Sequence, residues 1–223
     1  MDIFELNTNS SVVIEEFMGS KIYYIDNFFK KPDNIVNFLD KNPGKLHHPN
    51  NIPPHFKDRN STDFLDVRHA LHLSDVSKIC KHLSDLCGQV PVYNTKMLIT
   101  NITRFFKTSF NDYKNNYWWP HKDFGYTAII YLNKGDTTNG TNLYKLESDD
   151  ETLKYHYEHS HPWRSKKYFS VLKTIEPKYN RCILFDGGRF FHGMNIENER
   201  YFENEFRKNM AFFFRANGVL CPD

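Results

Sequence analysis

The sequence predicts a mainly β protein of the α+β class, with its β core in the second half and its helices in the first. Three observations carry this. The chain has twenty Phe and thirteen Tyr in 223 residues, and aromatic residues favour pleated, half-buried surfaces. From residue 96 onward short apolar runs alternate with polar turns, the pattern of successive strands. Helical periodicity is confined to stretches before that point. The length suits one domain over 1–223, with strands, helices and a loop in 1–95 packing on a core over 96–217. An apolar fraction of 39% gives ample material for that core.

Taken in order, Val12 to Glu16 and Lys21 to Asp26 read as two strands around the turn Met18-Gly19-Ser20. After Pro32, apolar residues at Ile35, Phe38 and Leu39 give a helical stripe that stops at Asn42-Pro43-Gly44. Residues 44 to 64 are rich in Pro and His and read as a long surface loop. Phe64 to Leu73 regains strand character. Ser74 is then expected to cap a helix whose face is Val76, Ile79, Cys80, Leu83, Leu86 and Cys87, closed by Gly88. Strands follow at Met97 to Phe106, Tyr117 to Leu132, Thr141 to Leu146, Lys167 to Ile175, Arg181 to Phe185, Phe190 to Met194 and Arg207 to Arg215. Residues 133–140 form a polar turn, and 147–166 an insertion that is acidic at first and then rich in His and Tyr.

A formal charge of +2 with mixed signs gives no support to a nucleic-acid partner. The N-terminus is acidic where a secretory signal is basic, and no segment approaches a membrane span. Cys80, Cys87, Cys182 and Cys221 have neither CxxC nor zinc-knuckle spacing. They read as reduced core thiols, so a cytoplasmic protein is the expectation.

The chemistry gathers around Trp118-Trp119-Pro120-His121-Lys122-Asp123. In an extended segment His121 and Asp123 would leave the backbone on one face. An imidazole and a carboxylate, joined by one more His, make the facial triad of non-heme iron oxygenases. His-x-Asp/Glu arises roughly once by chance in such a chain, so the spacing alone decides nothing. A second copy, His156-Tyr157-Glu158 with His159 and His161 beside it, lies in the polar insertion and reads as a solvated loop. A strand follows His121 and Asp123 at once. The third ligand is expected from Arg181-Cys182-Ile183-Leu184-Phe185-Asp186-Gly187-Gly188-Arg189-Phe190-Phe191-His192, read as two strands about a tight Gly-Gly turn. Arg207 then opens the last strand and shares a face with Asn209, Ala211 and Phe213. A guanidinium at that position calls for an anionic partner, and its fork suits a carboxylate.

The order His121-x-Asp123, Ala128-Ile129-Ile130-Tyr131-Leu132-Asn133, Gly140 to Tyr144, Tyr179 to Phe185, Phe191-His192 and Arg207-x-Asn209 resembles the Fe(II)- and 2-oxoglutarate-dependent dioxygenases. It is most similar to their prolyl-hydroxylase-like branch, particularly small microbial and phage members, over roughly residues 97 to 216. Tyr23 to Phe29, followed by Pro32 and a helix, is similar to that group's entry segment. The resemblance implies a double-stranded β-helix of the jelly-roll, cupin-like kind. It implies His121, Asp123 and His192 as catalytic iron ligands and Arg207 as the anchor for the distal carboxylate of 2-oxoglutarate. It also implies O2 as the oxidant, with succinate and CO2 formed as a substrate C–H bond is hydroxylated. The substrate class is a small molecule or a peptide, a prolyl side chain included.

The sequence departs from this pattern in two places. Arg200 lies between His192 and Arg207 as a rival anchor, although it sits in an acidic loop. Where relatives carry a carboxylate-binding Tyr, this chain has Ile130, so Tyr126 or Tyr131 would have to serve, depending on register. Taken alone, each His is more often a satisfied surface or core group than a ligand. Trp118 and Trp119 read as packing residues, Arg189 as solvated and Asp186 as the cap of the Gly-Gly turn. Two other readings remain in view: a β-helix that binds metal without turnover, and a nucleic-acid-directed oxygenase on the same fold.

Overall fold

In the computed structural model, residues 2–41, 45–46, 64–70, 73–91, 99–105, 112–149, 163–202 and 205–216 are described. β1 (Val12–Phe17) and β2 (Ser20–Ile25) form a hairpin whose linking residues, Met18 and Gly19, have φ of 50° and 74°. Two left-handed residues make a type I′ turn, whose twist matches that of the strands it joins. α1 (Pro32–Lys41) buries Ile35 and Leu39. β3 (Lys45–Leu46) and β4 (Phe64–Ala70) precede α2 (Leu73–Cys87), and β5 (Val90–Pro91) and β6 (Ile99–Phe105) follow it. α2 buries Val76, Ile79, Cys80 and Leu83, the face read from the sequence. It starts one residue ahead of Ser74, which therefore lies inside the first turn and not at the cap. Gly88 ends the helix with φ 69°, its N–H donating to the Ser84 carbonyl at 2.8 Å.

The short α3 (Asp112–Asn115) leads into β7 (Asn116–His121), β8 (Tyr126–Tyr131) and β9 (Thr141–Leu146). β10 (Trp163–Ser165), a single turn of tight helix over Lys166–Tyr168, β11 (Phe169–Ile175), β12 (Cys182–Asp186), β13 (Phe191–Met194) and β14 (Arg207–Arg215) complete the order. β10 and Lys166 lie where the sequence reads as insertion, while Lys167 and Tyr168, read as strand, belong to the helical turn. The rest of the loop 44–64, residues 150–162 with His156, His159 and His161, and Cys221 lie outside the described residues.

The architecture is mainly β, in two antiparallel sheets. The larger runs β1-β2-β12-β8-β14-β6-β4-β3, with β5 on the end of β14, and the smaller runs β10-β7-β13-β9-β11. Side chains of directly paired residues leave a sheet on the same side. In the larger sheet Ile130 pairs with Cys182 and Met210, and this side meets α1 and α2 in one apolar cluster. The opposite side carries Thr127, Ile129 and Tyr131 of β8, Ile183 and Phe185 of β12, and Asn209, Ala211 and Phe213 of β14. That side faces the smaller sheet, where Tyr131, Ile183 and Phe185 pack with Leu143 and Ile175. Helices therefore cover one face of the larger sheet and the second sheet covers the other. No helix among the described residues is long and apolar enough to cross a membrane.

Two strand connections need correcting. The run Tyr117 to Leu132 is two strands, because the chain leaves the smaller sheet after His121 and enters the larger one at Tyr126. Likewise β12 and β13 are not a hairpin: the Gly187-Gly188 turn carries the chain from the larger sheet back to the smaller. In both places a sheet change looks like continuity, since apolar runs on either side of a crossing look alike in sequence. One tie between the first residues and the core was not legible at all. Asn180, buried with φ 62°, accepts from the Phe29 N–H through Oδ1 and donates to the Phe29 carbonyl through Nδ2, both at 2.9 Å.

Candidate metal centre

The two crossings meet. The Asp123 N–H donates to the Gly187 carbonyl, and the Gly188 N–H to the Gly125 carbonyl, both at 2.9 Å. The turn is closed from within by Asp186, whose Oδ1 accepts from the N–H groups of Gly188 at 3.1 Å and Arg189 at 3.0 Å. Asp186 is thus the turn cap the sequence implied. A side chain at Gly187 would collide with the Thr127 hydroxyl and come within 3.1 Å of Asp123 Oδ2. A glycine is what lets the two turns touch.

At this junction His121 ends β7, Asp123 lies in the crossing turn and His192 is the second residue of β13, paired with His121. His121 and Asp123 do not face one way by strand alternation, as the sequence suggested. The turn brings them together. One potential ligand atom from each of the three residues lies within 4.8 Å of the others. His192 Nε2 is 3.1 Å from Asp123 Oδ2, and His121 Nε2 is 3.8 Å from Oδ1.

The histidine tautomers follow from the backbone. His121 Nδ1 is 2.7 Å from the Trp119 carbonyl, and His192 Nδ1 is 3.2 Å from the Phe190 carbonyl. A carbonyl only accepts, so each Nδ1 carries a proton, and each Nε2 is the ring nitrogen turned towards Asp123. A neutral imidazole with its far nitrogen tied back is the form that binds a divalent metal. Trp119 reaches this position with φ 51°, a left-handed backbone that costs a bulky residue on the order of 1 kcal/mol. Gly193 makes room for it, since a Cβ there would collide with the Trp118 carbonyl and lie 3.1 Å from that of Trp119.

Asp123 is an anion here. Burial opposes its charge, but His192 first, then His121 and the Thr127 hydroxyl, hold its carboxyl well below the usual range. Thr127 Oγ1 donates to Asp123 Oδ2. Side-chain exposure falls from 25% at His121 to 10% at Asp123 and 3% at His192, so the group opens to solvent on the His121 side. The Phe185 ring meets His192 edge-on at 5.0 Å and closes the inner side.

The remaining site residues expected from the sequence fall in three places. Arg207 is buried on β14, on the side that faces the smaller sheet. No carboxylate among the described residues lies within ion-pair distance of it, and its guanidinium carbon sits 5.8 Å from the Tyr131 ring centre. Burial lowers its pKa, while Tyr131, Tyr201 and Asp136 favour the charge from a distance. Asp136 is itself engaged by the Tyr201 hydroxyl at 2.5 Å. Asn209, also buried, has an Oδ1 without a hydrogen-bond partner. It stands opposite Tyr131, whose hydroxyl shares a 2.7 Å hydrogen bond with Thr141 Oγ1 across the two sheets. Burial pushes the Tyr131 phenol up to about 12, against the pull of Arg207.

Tyr126 does not join this group. The register turns it to the helix-covered side, where it packs edge-on to Tyr23 at 6.5 Å. Ile130 also faces that side, so only Tyr131 shares a side with Arg207. The rival Arg200 is spent at the surface on Glu205 at 2.7 Å and the Lys134 carbonyl at 2.8 Å. Arg189 is exposed and donates to the Met18 carbonyl at 2.7 Å. Sequence reasoning missed Thr127, Thr141 and the Trp119 carbonyl. Thr127, four residues after Asp123 in the next strand, had no signature apart from that spacing.

Compared with protein-family models and with curated proteins, the chain matches none of them.

Proposed function

We propose that this protein is an Fe(II)- and 2-oxoglutarate-dependent dioxygenase that hydroxylates a C–H bond of a small-molecule or peptidyl substrate. The observation that carries this reading is a pair of complementary half-sites between the sheets. One half-site is a His-Asp-His group with the Nε2 atoms of both histidines turned inward. The other is a buried cation, Arg207, with no acidic partner among the described residues. Leaving a guanidinium buried and uncompensated is costly, which is reason to read it as a receptor for an anion.

The spacing of the halves supports one ligand across both. Along β9, Leu143 pairs with His192, and Thr141, which meets the Tyr131 hydroxyl, lies two residues further on. Two residues of strand span about 7 Å, the rise from the level of His192 to the Tyr131 hydroxyl, whose ring lies under the Arg207 guanidinium; we read this as room for a short dicarboxylate. The fold gives further support. Among the described strands from β6 on, the chain passes between the larger and smaller sheets at β7, β8, β9, β12, β13 and β14, staying in the smaller sheet from β9 to β11. That alternation supports reading the core as a jelly roll of the double-stranded β-helix kind.

The donor set fits the cofactor. Two neutral imidazoles and one carboxylate on one side of a metal leave positions open and select non-heme Fe(II) chemistry. When bound, iron with 2-oxoglutarate and O2 supplies the oxidising power, and 2-oxoglutarate leaves as succinate and CO2. The chain's own part is to bind and orient. His121, Asp123 and His192 hold the metal, and Asp123 offsets part of its charge. Arg207 receives the distal carboxylate, with Tyr131 and Asn209 placed to complete the cradle. Leu143, Ile183 and Phe185, with Ile129 packed against them, form a buried apolar cluster with Tyr131 between the sheets.

Formation of succinate from 2-oxoglutarate without added substrate is the test. It is expected to require Fe(II) and to vanish in His121→Ala. Iron binding and succinate formation retained in full by that variant would overturn the assignment.

A further inference from the structure

We infer that Thr127 is a positioning residue for the metal-binding carboxylate, holding Asp123 so that it offers the metal one oxygen and not two. This rests on the reading of His121, Asp123 and His192 as a metal centre. Asp123 is the one ligand outside a strand, since His121 and His192 belong to β7 and β13. The ladder fixes the two histidine backbones, and the Trp119 and Phe190 carbonyls fix their rings. Asp123 has a different support. Its backbone N–H is tied to Gly187, and its Oδ2 accepts from Thr127 Oγ1.

Thr127 is well placed for this. It is buried in β8, which pairs with β12 and β14 on its two sides, so its backbone is among the most fixed near the site. Its hydroxyl occupies a lone pair of Oδ2 and stops rotation about the Asp123 Cβ–Cγ bond. A carboxylate with one oxygen engaged by a donor is a poorer chelate through that oxygen. The other oxygen then serves as the single ligand, and the coordination positions a second carboxylate would need stay open. Gly187 belongs to the same device, because a Cβ at that residue would collide with the Thr127 hydroxyl and sit 3.2 Å from Asp123 Cβ.

The experiment is a Co(II) titration of the full chain, followed by visible absorption, for wild type and for Thr127→Ser, Thr127→Ala and Thr127→Val. Ser and Ala both lose the methyl, so their difference isolates the hydroxyl even if the Val variant fails to fold. Thr127→Ser is expected to bind within about threefold of wild type. Thr127→Ala is expected to bind roughly 10- to 100-fold more weakly, the usual effect of losing an outer-sphere partner of a metal ligand. Its Co(II) spectrum should also change shape as the second carboxylate oxygen becomes available. A purely structural threonine would move the melting temperature of Ser and Ala alike and leave both spectra as in wild type. Equal affinity and equal spectra for Ser and Ala overturn the Thr127 role while leaving the metal centre standing. Failure of wild type to take up Co(II) removes the metal centre and the Thr127 role with it.

Discussion

Replacing Arg207 with Met should separate stability from function. The guanidinium is buried, lies over the Tyr131 ring and has no carboxylate within ion-pair distance among the described residues. Removing it forfeits a cation–π contact worth about 1–2 kcal/mol when desolvated. It also relieves an unpaired buried charge, whose penalty is several kcal/mol even after relaxation. Met fills much of the volume, so little cavity remains. The ligand-free protein should therefore gain roughly 1–2 kcal/mol, which for a chain of this size raises the melting temperature by about 2–8 °C. Ligand binding should move the other way. Loss of a charge-assisted, two-pronged contact to a carboxylate costs about 3–4 kcal/mol, so affinity for 2-oxoglutarate should fall on the order of 100- to 1000-fold. Thermal melts of the ligand-free proteins and a titration followed by tryptophan fluorescence give both quantities. If Arg207→Met is destabilised by more than about 2 kcal/mol and binds 2-oxoglutarate as wild type does, the residue is a structural cation and the argument fails.

Three further outcomes are expected. Gly187→Ala should lose metal affinity together with about 1–3 kcal/mol of stability, since the new methyl is driven into Asp123 and Thr127; a melt and a metal titration that both match wild type would contradict the contact. Asn180→Ala should cost about 2–3 kcal/mol in urea unfolding, because two buried backbone groups of Phe29 lose their partners; a loss below about 0.5 kcal/mol would show that the tie does not matter. Asp26→Asn should cost about 1–2 kcal/mol at neutral pH, since Arg181 reaches the carboxylate at 2.6 and 3.2 Å and holds its pKa low. A depressed folded pKa gives stability that is fully present above the unfolded value of about 4 and is lost as the pH falls below it. The gap between Asp26→Asn and wild type should therefore close below roughly pH 4, and a gap independent of pH would be at odds with the ion pair.

What the sequence disclosed follows from what repeats locally. Strand content, the helical face of α2, the Met18-Gly19 turn and the capping role of Asp186 all depend on residues within a few positions of one another. His121, Asp123, His192 and Arg207 were legible because each side chain is chemically distinctive and each adjoins a readable strand. What lay hidden was contact between distant segments. Nothing local says that the chain changes sheets at Lys122 to Gly125, so strand alternation is not what brings His121 and Asp123 together; the turn is. The choice among Tyr126, Ile130 and Tyr131 needed the pairing of β8 with β14, because a one-residue shift of register turns every side chain to the other face. Thr127 and the Trp119 carbonyl carry no signature, as a hydroxyl or a carbonyl becomes a partner only when a turn brings a ligand to it.

The measurement that bears most directly on the whole account is diffraction from crystals of the protein grown anaerobically with Fe(II) and an unreactive dicarboxylate analogue of 2-oxoglutarate. Anomalous scattering should place a single iron between His121 Nε2, His192 Nε2 and one oxygen of Asp123, with the far carboxylate of the analogue on Arg207. Iron bound elsewhere, or an Arg207 that receives no carboxylate while the metal site is filled, would contradict the claim that the two half-sites serve one ligand.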